Sequence, residues 1–149
     1  MKNLYEPATA AEVKDRLQQL RPESPRLWGT MSAGQTVAHC AVAMEMAVGD
    51  VRPRRMPIGY LLGPLFKRLA IGNEQPFRRN TPTTPDLVMR DERELDAERR
   101  RLTALIDRFA TGPAACTTHP HAFFGRLAPR EWAVLSYKHI DHHLRQFGA

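Results

Sequence analysis

The sequence is poor in cysteine, in aromatic residues and in long apolar runs, and each shortage excludes a class of protein. Its two cysteines, Cys40 and Cys116, are too few for a disulfide framework, and no CxxC pair is present. Aromatic residues make up 7% of the chain, so aliphatic side chains must fill much of the interior. No apolar stretch approaches the ~18 residues that a membrane span needs, so we expect no membrane partner.

Residues 1–20 lack a basic segment followed by an apolar run, so we expect no signal peptide. Free cysteines are typical of reducing compartments. A cytoplasmic location is the resulting expectation.

The chain carries an excess of basic residues without a basic tract. It has 22 Lys and Arg against 16 Asp and Glu, a net charge of +6 and a pI near 9.9. A basic domain can attract nucleic acids or other anions. Here acidic residues are interspersed, and residues 91–101 alternate in sign, which is typical of a solvated surface. Nucleic-acid binding is therefore disfavoured.

Capping residues and apolar periodicity predict four main helices and no convincing strand. A length of 149 residues suits a single domain, residues 1–149. Capping boxes at Thr9–Glu12 and Ser32–Gln35 begin the first two helices, and Pro129 suits the first turn of the last. The predicted helices run from Thr9 to Leu20, from Ser32 to Val48, from Asp86 or Asp91 to Phe109, and from Pro129 to Phe147.

Residues 51–85 are rich in proline and glycine and predict a long excursion between the second and third helices. A short helix from Leu61 to Ala70 is expected there, with Pro64 in its first turn. Pro76, Pro82 and Pro85 then indicate an extended arm. The fold class is all-α: a four-helix bundle with this excursion. Its apolar residues, Leu61 to Leu69, could support a homodimer.

Three histidines suggest a metal site. His139 and His143 are four residues apart, which places both imidazoles on one helical face. His39 is the imidazole of an otherwise apolar predicted helix, so it should be buried and needs partners for its ring nitrogens. One divalent ion would satisfy all three. Three histidines with an open fourth position are typical of catalytic zinc, although nickel or iron also accepts imidazole.

A different interpretation remains open, because a buried histidine is often a hydrogen-bonded core residue and an i, i+4 pair is often a surface feature. His119 and His121 could approach the open face of the metal, but hydrogen bonding in their loop is the favoured role. Cys40, Cys116 and Glu45 are assigned no role. Gln35 and Gln146, each near a histidine, are candidates for orienting the imidazoles.

The sequence also resembles a known family. The resemblance lies in residues 26–29 (RLWG), 31–35 (MSAGQ) and 38–40 (AHC), and more strongly in 124–125 (FG), 131–132 (EW) and 137–148 (YKHIDHHLRQFG). Arg79-Asn80, Pro82-Thr83 and Pro85 also fit. These stretches resemble a DUF1569-type member of the DinB/YfiT-like superfamily.

The resemblance implies a four-helix bundle with a metal held by His39, His139 and His143. Related branches act as thiol S-transferases that use low-molecular-weight thiols, or as metal-dependent hydrolases. The first hypothesis is therefore a metal-dependent enzyme that activates water or a thiol, acts on a small molecule, and has unidentified catalytic residues besides the ligands. Seven basic residues could steer an anionic substrate: Arg52, Arg54, Arg55, Lys67, Arg68, Arg78 and Arg79.

The second hypothesis is a non-enzymatic basic module that binds an anionic partner, such as nucleic acid, or another protein. Its metal would be structural or absent. An open coordination position favours the enzyme, whereas four protein ligands, or histidines too far apart for one ion, favour the module.

Overall fold

A computed structural model describes residues 1–79 and 87–149 of the chain. Over these residues the protein is all-α, with five α-helices and no strands. The helices are α1 (Pro7–Gln19), α2 (Ala33–Val48), α3 (Pro57–Ile71), α4 (Leu95–Ala110) and α5 (Pro129–Arg145). A short 3₁₀ turn, Pro113–Ala115, follows α4. Pro82, Thr83, Pro85 and Asp86, which entered the sequence predictions, lie outside the described residues.

Helix α2 begins and ends as its sequence predicts. The Ser32 hydroxyl accepts a hydrogen bond from the Gln35 backbone, and the Gln35 side chain accepts one from the Ser32 backbone, which completes a capping box. Gly49 closes the helix with a φ of 87°, a left-handed conformation that favours glycine. Between these caps α2 is buried on most sides, packed against α4 and α5.

Helix α1 corrects the first capping prediction. It begins at Pro7, two positions before Thr9, and Glu6 takes the N-cap position. The Thr9 hydroxyl donates to the Glu6 carboxylate rather than capping a helix of its own. Proline at the first helical position needs no N–H partner, which explains the earlier start.

Helix α3 is longer than the short helix predicted within the excursion. It extends over 15 residues and begins at Pro57, so Pro57 occupies the first turn and Pro64 lies inside the helix.

Helix α4 begins at Leu95, four residues after the later of its two predicted starts, Asp91, whereas its end at Ala110 is within one residue of the prediction. Helix α5 ends at Arg145, two residues before the predicted Phe147. The side chain of Glu94 caps α4 by accepting from the backbone of Asp96 and Ala97, and α5 begins at Pro129 as predicted.

The apolar core lies among α1, α2, α4 and α5. Its most deeply buried side chains come from all four helices and from the N-terminal segment. They include Leu4, Val13, Leu17, Met44, Leu102, Ile106, Phe109 and Ile140. Helix α3 packs chiefly against α5 and contributes its last residue, Ile71, to this core.

Ion pairs link neighbouring helices at the periphery of the core. The Arg101 guanidinium donates twice to one carboxylate oxygen of Glu45, at 2.9 and 2.6 Å, and so links α4 to α2. Asp141, which is buried on α5, accepts from Arg16 on α1 at 2.8 Å. Glu45, which had no predicted role, therefore has a structural one.

Candidate metal centre

The three predicted histidines meet between α2 and α5. His39 lies in the middle of α2, where its side chain is 3% exposed, and His143 on α5 is 9% exposed. His139 lies one turn before His143 on the same face of α5. The packing of α2 against α5 therefore brings together residues that are far apart in the sequence.

The three rings are close enough together to share one metal ion. One nitrogen from each ring forms a set whose members all lie within 4.8 Å of one another. The Nε2 atoms of His39 and His139 are 2.9 Å apart. The ring centroids are separated by 4.9 Å for His39 and His139, 4.6 Å for His39 and His143, and 4.8 Å for His139 and His143.

Hydrogen bonds on the far side of two rings determine which nitrogen is free. The Nδ1–H of His39 donates to the backbone carbonyl of Leu87 at 2.7 Å, and the Nδ1–H of His143 donates to the Gln146 side-chain oxygen at 3.1 Å. A carbonyl oxygen can only accept, so each of these neutral rings keeps its lone pair on Nε2. This arrangement is typical of metal-binding histidines, whose second nitrogen is held by a carbonyl or carboxylate.

Burial keeps the three imidazoles neutral. It lowers the pKa of His39, lowers that of His143 to about 3, and lowers that of His139 well below its ordinary value. The neighbouring imidazoles lower the pKa of His139 further, because placing a second positive charge beside the first is unfavourable. Metal ligands must be deprotonated, so the three imidazoles are in the form that a metal ion would bind.

The residues present fit a divalent ion. Zinc binds imidazole nitrogen at ~2.0–2.1 Å, which places two ligands of a tetrahedral ion about 3.4 Å apart. The observed spread, from 2.9 Å to within 4.8 Å, spans this value. Among the residues that the structure describes, no Cys, Asp or Glu joins the three-histidine group.

Aromatic and basic side chains lie beside the three histidines. The guanidinium of Arg79 stacks over Trp28 at 4.2 Å, and the His142 ring lies 5.7 Å from that indole and 6.1 Å from the ring of Phe77. The ring of His142 is 5.1 Å from that of His143, but His142 is not a member of the group formed by the three predicted ligands. Burial lowers its pKa as well.

The histidines of the loop before α5, His119 and His121, form hydrogen bonds with the backbone. His119 Nε2 donates to the carbonyl of Pro53 at 3.1 Å. His121 Nδ1 accepts from the backbone N–H groups of Phe123 and Phe124 at 3.1 and 3.2 Å. The favoured prediction of hydrogen bonding in the loop is therefore confirmed for both, and neither belongs to the ligand group.

The two cysteines are free, and Cys40 is buried. Burial raises the pKa of both thiols, which favours the protonated, unreactive form. Neither is a member of the ligand group.

Two glutamines were predicted to orient the imidazoles, and the structure supports this role for one of them. Gln146 does so, through its contact with His143. Gln35 does not: its oxygen completes the α2 capping box and its nitrogen donates to the Asp91 carbonyl at 3.2 Å. That prediction is wrong for Gln35 because a side chain at the third helical position is drawn back to the free N–H groups of the helix end.

Sequence reasoning missed two contributors to the site. The Leu87 carbonyl is a backbone group, and the backbone is the same at every residue, so no side-chain pattern could identify it. The stacking of Trp28 with Arg79 joins two segments distant in the sequence. Two of the seven basic residues predicted to steer an anionic substrate have other partners: Arg55 donates to the carbonyls of residues 121, 122 and 123, and Lys67 pairs with Glu131.

Comparisons with known proteins agree with the sequence resemblance at the level of a family. A family model described as "Protein of unknown function (DUF1569)" matches residues 5–149, which is nearly the whole chain. No curated protein matches, and no solved structure matches. Within the described residues, none of the helices combines the length and apolar character needed to cross a bilayer.

Proposed function

This chain belongs to the DUF1569 family, and we propose that it is a metal-dependent enzyme of the DinB/YfiT-like type. In this proposal α1, α2, α4 and α5 form the four-helix bundle of a single domain spanning residues 1–149. His39, His139 and His143 bind a divalent ion, zinc or nickel before iron. The enzyme activates water or a low-molecular-weight thiol, as a hydrolase or a thiol S-transferase, on a small-molecule substrate in the cytoplasm.

The observation that carries the proposal is the convergence of three neutral imidazoles that are buried or half-buried. His39 and His143 direct their Nδ1–H groups to outer oxygens, so their Nε2 lone pairs are left for the centre of the group. Without an ion, the Nε2–H of His139 can donate to one of these lone pairs at a time, and the Nε2 of His39 lies 2.9 Å from it. A shared ion in place of that proton would satisfy all three rings at once, which favours a metal site over a hydrogen-bonded core.

The chain's own residues would bind the ion and orient the imidazoles that hold it. Leu87 and Gln146 hold two imidazoles in fixed tautomers through their Nδ1–H groups. When bound, the ion would lower the pKa of a coordinated water or thiol and so supply a nucleophile at neutral pH. No described carboxylate joins the ligand group, which favours three protein ligands over four.

The side chains beside the histidines favour an anionic substrate. Arg79 lies over Trp28, and His142 contacts the same indole, so a cation and a flat apolar surface occur together next to the ligands. A small molecule with a carboxylate and an apolar part matches both features.

The test is metal analysis of protein purified without a histidine tag, followed by zinc and nickel titration. We expect one ion per chain in the wild type and none in His139→Ala. His142→Ala is the matched control, because it removes an imidazole from the same helix and lies outside the ligand group; it should retain the ion. Circular dichroism checks that both variants are helical.

Equal metal content in His139→Ala and the wild type would contradict the assigned ligands. Stoichiometric metal in the wild type with no hydrolysis of esters or amides and no thiol transfer would favour the non-enzymatic module with a structural ion.

A further inference from the structure

Helix α3 exposes six large hydrophobic side chains, four of which lie along one face. Ile58, Leu61, Leu65 and Leu69 recur at intervals of three and four residues, so they form a single stripe on the helix. Their exposed fractions are 47%, 78%, 59% and 57%. A surface helix of a globular protein normally turns such a stripe toward the core, so its outward position needs an explanation.

The outward orientation of the stripe is built into the packing. Gly59 and Gly63 lie on the opposite face, where an added Cβ would come within 2.5 and 2.4 Å of the Phe123 carbonyl oxygen. Only glycine permits this close approach of α3 to the 121–125 loop. Arg55 reinforces it by donating to the carbonyls of Phe123, at 2.7 Å, and of Gly59, at 3.2 Å.

The charges around the stripe are mostly positive. Residues 51–73 contain five basic residues and no Asp or Glu. Arg54 and Arg68 are exposed. Arg126, also exposed, is adjacent, because its carbonyl accepts from Lys67 of α3 at 3.2 Å. An occupant of this surface must therefore supply both an apolar environment and negative charge.

We propose that the apolar stripe of α3 lies on the surface of an anionic lipid bilayer. An amphipathic helix with basic flanks lies in the plane of the interface, with its apolar face ~5–10 Å into the headgroup region. Anionic lipids attract the neighbouring Arg and Lys side chains. The expectation of no membrane partner rested on the lack of a spanning segment, and a helix lying on the surface needs none.

A second copy of the chain meets these requirements less well. An isologous dimer places the same patch of both copies face to face, so the basic side chains of one copy approach those of the other. Between residues 51 and 73 the chain has no carboxylate, and the nearby Glu131 and Glu74 already pair with Lys67 and with the N-terminus. Charge complementarity therefore favours the bilayer. This proposal is independent of the metal site.

The experiment measures binding of the full chain to vesicles by co-sedimentation. One set of vesicles contains phosphatidylcholine alone, and the other contains phosphatidylcholine with phosphatidylglycerol. The test variant is Leu61→Ser with Leu65→Ser, which removes apolar surface without changing the net charge. Leu27→Ser is the matched control, because Leu27 is 63% exposed but lies outside α3.

We expect binding to the anionic vesicles and little to the neutral ones, with a roughly tenfold or greater loss of affinity in the double variant. Leu27→Ser should bind as the wild type does. Binding that is equal in the wild type and the double variant would overturn the proposal, since it would reflect net charge alone. Lack of wild-type binding would overturn it too.

Light scattering coupled to size-exclusion chromatography supplies the other decisive outcome. A wild-type dimer that the double variant converts to monomer, with no vesicle binding, would assign the stripe to a second copy. A wild-type monomer that binds anionic vesicles supports the bilayer.

Discussion

Helices α2 and α3 are both rich in apolar residues, yet α2 is buried and α3 is largely exposed. Helix α2 lies between α4 and α5, and a polar residue within it, His39, is 3% exposed. Helix α3 packs chiefly against α5, and its Leu61 is 78% exposed. The comparison teaches that apolar composition alone does not determine burial. The number of neighbouring elements that pack against a helix does.

The largest expected difference between the two helices is in stability. Met44→Ala on α2 should lower the free energy of unfolding by about 2–5 kcal/mol, because Met44 is 1% exposed and its loss leaves a cavity. Leu61→Ala on α3 should change it by less than about 0.5 kcal/mol. Urea unfolding followed by circular dichroism measures both. Equal destabilisation would mean that Leu61 is covered in solution.

The second prediction concerns stabilisation by the ion. Zinc at about one hundred times its dissociation constant should raise the free energy of unfolding by about 2.7 kcal/mol, because it binds the folded chain. His139→Ala should lose this gain, whereas Leu61→Ala should retain it. Unfolding with and without added zinc is the measurement. A gain that persists in His139→Ala would place zinc elsewhere.

The third prediction concerns the 121–125 loop, which supports α3. Burial lowers the pKa of His121 to about 4 from 6.5, so the unfolded chain takes up the proton first as the pH falls. The contribution of neutral His121 to stability is complete above the unfolded pKa and is lost as the pH falls from 6.5 toward 4.

His121→Asn keeps a side-chain acceptor for the backbone N–H groups but does not titrate. Between about pH 7 and pH 5, the metal-free wild type should lose about 2 kcal/mol more stability than this variant. Urea unfolding with a chelator present measures the difference. Identical pH profiles would show that His121 is accessible to solvent.

The smallest expected effect is on zinc affinity, and it distinguishes Gln146 from Gln35. Gln146→Ala should weaken zinc binding about tenfold or more, because it removes the acceptor that orients His143. Gln35→Ala removes a helix cap and should leave the zinc affinity unchanged. Calorimetric titration of both variants is the measurement. A comparable loss in Gln35→Ala would indicate that helix position, rather than a specific hydrogen bond, tunes the site.

Much of the local structure could be predicted from the sequence. The Ser32–Gln35 capping box, the end of α2 at Gly49 and the start of α5 at Pro129 depend on interactions within a few residues, and the structure confirms them. The start of α1 was wrong by two positions, since both Pro7 and Thr9 can begin a helix and the proline prevailed. The extent of α3 was wrong because Pro64 is tolerated inside it.

By itself, the sequence determined the all-α class and the placement of His139 and His143 on one helical face, because helical periodicity and side-chain chemistry are local properties. The packing of α2 against α5 brought His39 to them. Only the tertiary structure decided which imidazole nitrogens are free, through the contacts of His39 with Leu87 and of His143 with Gln146. It also decided that the apolar stripe of α3 faces outward, through the approach of Gly59 and Gly63 to Phe123. These features depend on contacts between distant segments, and a side chain's partners across space are not encoded in its own local pattern.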